Sequence, residues 1–225
     1  MPNVDTANNF YLVLALFADA VVVFALVLAI AALVSKQARE VAKGIAAGIA
    51  PHANLLGFVV ALVTTTGSLY YSEHAGFIPC QLCWYQRILM YPLVIVLGIA
   101  ALRKDRRAWM TVLPFVVIGA GVSTYHWLVE RVPSFAESSS CSLEAPCTAP
   151  WFEKLGFVTL AWMALSGFLL IGTLMVCQIV GNRVDAGDPP PDAAAQDEFE
   201  EEPVRSGATN TPGRRWRPGT GATCG

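Results

Sequence analysis

Five long apolar stretches, separated by short polar connections, set the pattern of this chain. They cover residues 11–34, 53–71, 83–102, 109–129 and 156–180. A bilayer is crossed by roughly 20 residues of α-helix, and a helix satisfies its own backbone hydrogen bonds where lipid cannot. The pattern therefore predicts an all-α membrane protein with five spans. Buried helices of a soluble protein are a poor explanation for five such stretches in succession.

Composition agrees with this prediction. Hydrophobic residues make up 55% of the 225-residue chain and charged residues only 14%, whereas soluble domains carry about 25% charged residues. The formal net charge of -2 gives no basic face for holding phosphates, so no nucleic-acid partner is expected.

The distribution of Lys and Arg predicts the orientation. Basic residues follow the first and third stretches: Lys36, Arg39, Lys43, Arg103, Lys104, Arg106 and Arg107. By contrast, residues 72–79 contain no Lys or Arg, and residues 130–153 contain only Arg131. Basic connections stay in the cytoplasm, which puts the N-terminus outside and the C-terminus inside. The first ten residues lack the basic region of a signal peptide, so the first span is expected to be retained.

The last part of the chain, residues 181–225, has a different composition. It contains Pro189, Pro190 and Pro191, an acidic run around Glu200 and a Gly/Pro/Arg-rich end. Too little of it is apolar to offset the entropy of ordering, so we expect a disordered cytoplasmic tail.

Cys80 and Cys83 form a Cys-Gln-Leu-Cys motif at the outer end of the third span. This spacing suits a small reversible disulfide, and a helix N-terminus stabilises a nearby thiolate. A static disulfide or half of a zinc site are the alternatives.

A second pair, Cys141 and Cys147, lies in the longer outer connection, which is rich in Ser and Pro. Such a segment can reach a soluble partner and suits a disulfide that opens and reforms. A structural disulfide is the ordinary alternative outside the cytoplasm. Four outer cysteines also match a zinc site in number, but an oxidising compartment competes for the thiols, so no metal is expected. Cys177 and Cys224 face the reducing side and are expected to be idle.

Three other polar residues lie within or beside the spans. Arg87 follows Cys83 by four residues, on the same helix face and about 6 Å further in. A charge there is costly without a partner; a quinone carbonyl would supply one, and lipid headgroups are the alternative. His126 is either a hydrogen-bond donor to a quinone or an interfacial histidine. For Asp19, inside the first span, we expect a protonated or paired packing role.

Together these residues resemble a known family. Residues 79–87, Pro-Cys-Gln-Leu-Cys-Trp-Tyr-Gln-Arg, resemble the signature of DsbB-type disulfide bond formation proteins, especially the BdbC branch. The resemblance continues through Tyr125-His126, Pro146-Cys147-Thr148 and residues 156–159, and covers about residues 53–180.

The resemblance implies a four-helix transmembrane bundle of DsbB type over residues 53–180. It is preceded by an extra N-terminal helix and cytoplasmic loop over residues 1–52 and followed by the tail. It also implies that Cys141 and Cys147 receive electrons from a DsbA/BdbD-like thioredoxin-fold protein. Cys80 and Cys83 then reoxidise that pair and reduce a quinone (ubiquinone or menaquinone). Arg87 matches the family arginine that assists quinone binding, and His126 falls near a helix-end histidine.

Two other interpretations remain. In vitamin K epoxide reductases, another quinone-linked bundle, the loop pair precedes the CxxC motif, whereas here it follows, and this order favours the DsbB type. A non-catalytic membrane scaffold or chaperone with two static outer disulfides is the alternative from a different class. The predicted location is the bacterial cytoplasmic (inner) membrane.

Overall fold

The computed structural model describes residues 2–132, 134–135, 147–148 and 153–187. Cys141, Cys224 and residues 188–225 of the predicted tail lie outside this part. Over the described residues the chain forms six α-helices: α1 (Pro2–Val34), α2 (Lys36–Ile49), α3 (Ala53–Leu69), α4 (Gln81–Arg103), α5 (Trp109–Arg131) and α6 (Leu160–Gly187). A 3₁₀ turn, Ala50–His52, joins α2 to α3, and a π-helical turn, Tyr70–His74, extends α3.

Five helical segments are long and apolar enough to cross a membrane, which confirms the predicted number: Val4–Val34, Lys36–His74, Gln81–Arg103, Trp109–Arg131 and Leu160–Gly187. The chain is a multi-pass membrane protein. Large apolar side chains such as Ile95 and Val117 are exposed on its surface, where lipid rather than water is their favourable environment.

Helices α3, α4, α5 and α6 form the predicted bundle. α4 packs against α3 and α5, and α6 closes the ring by packing against α3 and α5. All four contribute to one apolar core, for example through Ala61, Leu93, Val116 and Phe168. α5 and α6 approach closely because Gly119 has no side chain: a Cβ there would lie 2.3 Å from the Phe168 ring.

The connection predicted as a cytoplasmic loop is helical instead. Ser35 caps α2 by accepting a hydrogen bond from the amide of Ala38. α2 then packs against α1 and α6. Its contact with α6 depends on Gly181, where a Cβ would lie 2.8 Å from the carbonyl oxygen of Ala46. Residues 36–49 therefore form a helix whose small residues pack against α6, although its charged residues interrupt the apolar pattern of the sequence.

The last span differs from the prediction at both ends. It begins at Leu160 rather than at residue 156, because Leu155 and Gly156 have positive φ angles of 55° and 76°, outside the range of a right-handed α-helix. It continues past residue 180 to Gly187. There Arg106, in the α4–α5 connection, pairs with Asp185 at 2.8 Å.

Two ends of the bundle differ in chemistry. The basic end carries Arg103 and the α4–α5 connection, and the cysteine end carries Cys80, Cys83 and Cys147. Near the basic end, buried Gln178 on α6 donates to Asn54 on α3 at 2.9 Å. Asn54 donates in turn to the carbonyl of Asp105 at 2.7 Å. This chain of hydrogen bonds anchors the basic end.

Candidate active site

Cys80 is the N-cap of α4. Its backbone is extended, with φ −73° and ψ 172°, and its sulfur accepts a hydrogen bond from the amide of Cys83 at 3.3 Å. The Sγ atoms of Cys80 and Cys83 lie 2.9 Å apart, and both cysteines are free thiols. The motif thus begins a helix whose free N–H groups and positive dipole end face the first sulfur.

His126, on α5, contacts the same sulfur, with Nε2 3.6 Å from Cys80 Sγ. A hydrogen bond from the Cys83 thiol, followed by the one from His126, holds the pKa of Cys80 well below that of an ordinary thiol, although burial acts in the opposite direction. Because the thiolate is the reactive form of cysteine, these contacts favour Cys80 over Cys83 as the thiolate of the pair.

Glu130 extends this cluster beyond His126. Its Oε1 lies 3.8 Å from Nε2 of His126, and its side chain is only 4% exposed. Its other oxygen accepts a hydrogen bond from the Thr159 hydroxyl at 2.6 Å. Thr159 precedes α6 and also accepts from the amide of Trp162 at 3.4 Å. A buried carboxylate is therefore fixed between α5 and the start of α6.

Gln86, also buried, sets the hydrogen position on His126. Its amide nitrogen lies 3.3 Å from Nδ1 of the imidazole. An amide nitrogen donates and does not accept, so Nδ1 is the acceptor and the proton of the neutral ring is on Nε2. That N–H faces the Cys80 sulfur and the Glu130 carboxylate.

Cys147 lies in the same buried cluster as Cys80, Leu82 and Val129. It is 2% exposed and disulfide-bonded. Since Cys80, Cys83 and Cys177 are free thiols, its disulfide partner lies outside the described residues. One cysteine of the second predicted pair, Cys147, thus lies beside the first pair, and Cys141 lies outside the described residues.

Arg87 lies one helical turn beyond Cys83. Its Nε donates to the hydroxyl of Ser68 at 3.0 Å, and its Nη2 donates to the Ser68 carbonyl at 3.1 Å. The guanidinium also lies 5.3 Å from the centre of the Trp84 ring. The Tyr91 hydroxyl donates to the same Ser68 hydroxyl at 3.3 Å. The arginine is therefore bound to α3.

An apolar cavity of about 350 Å³ opens beside these groups. Its polar lining includes Cys83, Arg87, Ser68 and Tyr91, and most of the rest is aliphatic or aromatic. Small-molecule sites in proteins typically have this character, with a few polar groups in an apolar wall of roughly 300–1,000 Å³. His126, by contrast, lies against Cys80 and is not part of the lining.

The same groups have ligand atoms suited to a metal. The sulfurs of Cys80 and Cys83 and a ring nitrogen of His126 lie within 4.8 Å of one another. Structural zinc takes four protein ligands, and within the described part of the chain this cluster supplies three. The expectation of no metal stays a prediction.

Comparison with known proteins identifies the family. Residues 50–178 match the family model "Disulfide bond formation protein DsbB". The chain belongs to the DsbB family.

Curated relatives agree with this assignment. The chain is 46% identical over 126 residues to disulfide bond formation protein C of Bacillus subtilis, covering 56% of this chain and 91% of that protein. It is 42% identical over 129 residues to a probable disulfide formation protein C of Bacillus cereus (57% and 91% covered). It is 39% identical over 120 residues to a probable disulfide formation protein of Coxiella burnetii (53% and 82% covered). No solved structure gives a significant match.

Two features of this DsbB-family site were not found by sequence reasoning. The sequence pattern places Glu130 in the outer connection, whereas it lies in the last turn of α5. Its spacing of four residues from His126 was the available signal, since such residues share a helix face. Gln86 belongs to the family motif, but its position in the sequence does not predict its contact with His126. α1 lies outside the matched residues 50–178, yet it lines the cavity.

Proposed function

We propose that this chain is a thiol:quinone oxidoreductase. It reoxidises a secreted thioredoxin-like dithiol oxidase and passes the electrons to a membrane quinone, which supports disulfide formation outside the cytoplasm. One observation carries the proposal: both cysteines of the CxxC motif pack at the cluster that holds Cys147, but only Cys83 also lines the apolar cavity. Cys80 shares a buried cluster with Cys147, and Cys83 lines the apolar cavity with Arg87.

The proposed relay consists of two exchanges and one oxidation. The partner dithiol reduces the Cys141–Cys147 disulfide and leaves as a disulfide. The resulting dithiol of Cys141 and Cys147 reduces the Cys80–Cys83 disulfide and reforms its own. Each exchange moves two electrons and two protons and proceeds by thiolate attack on a disulfide sulfur. The described arrangement, with free thiols at Cys80 and Cys83 and a disulfide-bonded Cys147, corresponds to the stage after the second exchange.

The cavity fits a quinone headgroup and part of its tail. Its walls are mostly apolar, and Arg87 and Tyr91 bring hydrogen-bond donors to the same cavity that Cys83 lines. A bound quinone supplies an acceptor for two electrons and two protons as the Cys80–Cys83 disulfide reforms. Arg87 would orient a ring carbonyl and stabilise negative charge that develops on its oxygen. His126 and Glu130 act on the other sulfur, where the imidazole N–H stabilises the Cys80 thiolate.

The proposed orientation places the cysteine end outside and the basic end in the cytoplasm of a bacterial cytoplasmic membrane. Arg103, Lys104, Arg106 and Arg107 are all exposed at the basic end, which supports the assignment by the positive-inside rule. The free thiols of Cys80 and Cys83 would then face an oxidising compartment, in which disulfides form and persist.

The decisive experiment uses the purified full-length chain. A reduced DsbA-type protein serves as electron donor and decylubiquinone or menadione as acceptor. We expect catalytic formation of one quinol for each dithiol oxidised, with Cys83→Ser inactive and Cys177→Ser active as the matched control. If the folded protein oxidises the partner thiols with neither decylubiquinone nor menadione, the proposed function is wrong and the scaffold with static disulfides is favoured.

A further inference from the structure

The extra helix α1 packs over the proposed quinone cavity. Tyr11, Leu14, Ala15, Phe17 and Ala18 all contribute to the lining. The remaining walls come from α3, α4, α6 and the segment before α4. α1 is therefore a wall of this site even though it lies outside the region that matches the family.

Packing along α1 is confined to one face. Ala15 and Ala18 are each 6% exposed, whereas Val13 and Val23 are 64% and 57% exposed. Positions 11, 15 and 18 are spaced by four and three residues, so they share one side of the helix. The buried face of α1 thus borders the cavity, together with the exposed Phe17 next to it.

Two contacts hold this face in place. The ring of Tyr11 lies against Gly67 of α3, where a Cβ would come within 2.7 Å of Tyr11 Cε1. On α6, the indole N–H of Trp162 donates to the carboxylate of Asp19 at 2.9 Å. The acidic residue inside the first span therefore links α1 to α6, and Tyr11 links α1 to α3. These links lie on either side of Ala15 and Ala18 along the helix.

The polar and apolar parts of the cavity indicate how a quinone would lie. Cys83, Arg87 and Ser68 form the polar part, whereas Val59, Val60 and Ala18 border an aliphatic part nearer the basic end. Along α1, Tyr11 and Ala18 are separated by about 10 Å of helix. This length accommodates the first part of an apolar chain attached to a ring beside Cys83.

We propose that α1 is a specificity wall of the quinone site: Ala15 and Ala18 leave room for the quinone tail and hold it against α3 and α6. This inference rests on the proposed quinone reductase function. Larger residues at these two positions should exclude the tail while leaving the ring's contacts with Cys83 and Arg87 in place.

The test substitutes Ala18→Leu in the full-length chain, with Ala20→Leu as the matched control. Ala20 lies on the same helix and is exposed. We expect Ala18→Leu to raise KM for decylubiquinone at least about fivefold, because added methylenes in a packed site are costly. KM for the tail-less ubiquinone-0 should change less than about twofold, since the ring does not reach this wall. Ala20→Leu should change neither.

The outcomes separate the two proposals. If the unsubstituted chain reduces neither quinone, the proposed function is wrong. If it reduces both, and Ala18→Leu behaves as Ala20→Leu does, the specificity wall is refuted and quinone reduction stands.

Photolabelling of the unsubstituted chain tests the wall without any risk of misfolding. An azido-quinone with its photoreactive group on the tail should label α1 between residues 11 and 18. Excess decylubiquinone should suppress this labelling. Displaceable label confined to α3, α4 and α6 would overturn the inference.

Discussion

Glu130 lies one helical turn after His126, and its carboxylate stands 3.8 Å from Nε2 of that imidazole inside the protein. The same Nε2 lies 3.6 Å from the sulfur of Cys80. The Cys80 sulfur and the Glu130 carboxylate thus share one imidazole nitrogen, and Thr159 donates to the other carboxylate oxygen. Cys80, His126 and Glu130 can each be tested by substitution.

The first prediction concerns the ionisation of Cys80. Its pKa is lowered by hydrogen bonds from Cys83 and His126, so in the reduced protein the thiolate should persist at neutral pH and be lost only in acid. The measurement is thiolate ultraviolet absorbance as a function of pH, taken as the difference from Cys80→Ser. Cys83→Ala should raise the pKa most and His126→Ala less, because each removes one hydrogen bond to the thiolate. An unsubstituted Cys80 that ionises only above neutral pH would refute the assignment.

The second prediction concerns Glu130 and stability. Glu130→Ala leaves the Thr159 hydroxyl without its acceptor in a buried site, which should lower the free energy of unfolding by about 1–3 kcal/mol. Glu130→Gln keeps an oxygen acceptor for Thr159 and should lose less. Thermal unfolding in detergent gives the comparison, with Glu153→Ala, at a half-exposed surface position, as the control. Equal unfolding temperatures for the Ala and Gln variants would mean that the hydrogen bond contributes little.

The sequence predicted the spans well because length and apolarity decide them. α2 was missed for a physical reason: charged residues such as Lys36 and Lys43 break the apolar run, while small residues such as Ala46 provide the packing. Which side of α5 His126 would face depends on the rotation of α5 against α4, and residue spacing does not determine that rotation. The cavity could not be predicted from the sequence either, because its shape depends on how side chains from several helices pack around it.

The third prediction separates working cysteines from idle ones. Single substitution by Ser at Cys80, Cys83, Cys141 or Cys147 should abolish partner oxidation coupled to quinone, because each breaks one link of the exchange sequence. Cys177 is a free thiol in α6, and Cys177→Ser should keep nearly full turnover. Mixed disulfides trapped with the partner by non-reducing electrophoresis identify which pair it meets. Full activity without Cys141 and Cys147 would exclude the two-pair relay.

The fourth prediction concerns orientation. Alkaline phosphatase fused after residue 139 should be active, because that connection is proposed to lie outside, and a fusion after residue 105 at the basic end should be inactive. The expectation follows from the Lys and Arg distribution. Enzyme activity is normalised to the amount of fusion protein on immunoblots. The opposite pattern would place the cysteines in a reducing compartment and remove the basis for the proposed function.

The last prediction tests Arg87, whose guanidinium lines the same cavity as Cys83. A hydrogen bond to a charged group contributes on the order of 1.5–3 kcal/mol, so Arg87→Met should raise KM for decylubiquinone roughly tenfold or more. Arg87→Lys keeps the charge but loses the planar fork, and should rescue only in part.

Arg87 also binds Ser68 of α3, so a structural effect has to be distinguished from a loss of quinone contact. Ser68→Ala removes the hydroxyl acceptor and leaves the guanidinium in the cavity, which makes it the matched control. It should affect thermal unfolding more than KM, whereas Arg87→Met should affect both. Exchange between the two cysteine pairs requires no quinone and should persist in every one of these variants. If Arg87→Met leaves quinone kinetics unchanged while unfolding is altered, Arg87 is an anchor between α3 and α4, and the groups that orient the quinone have to be sought elsewhere in the cavity.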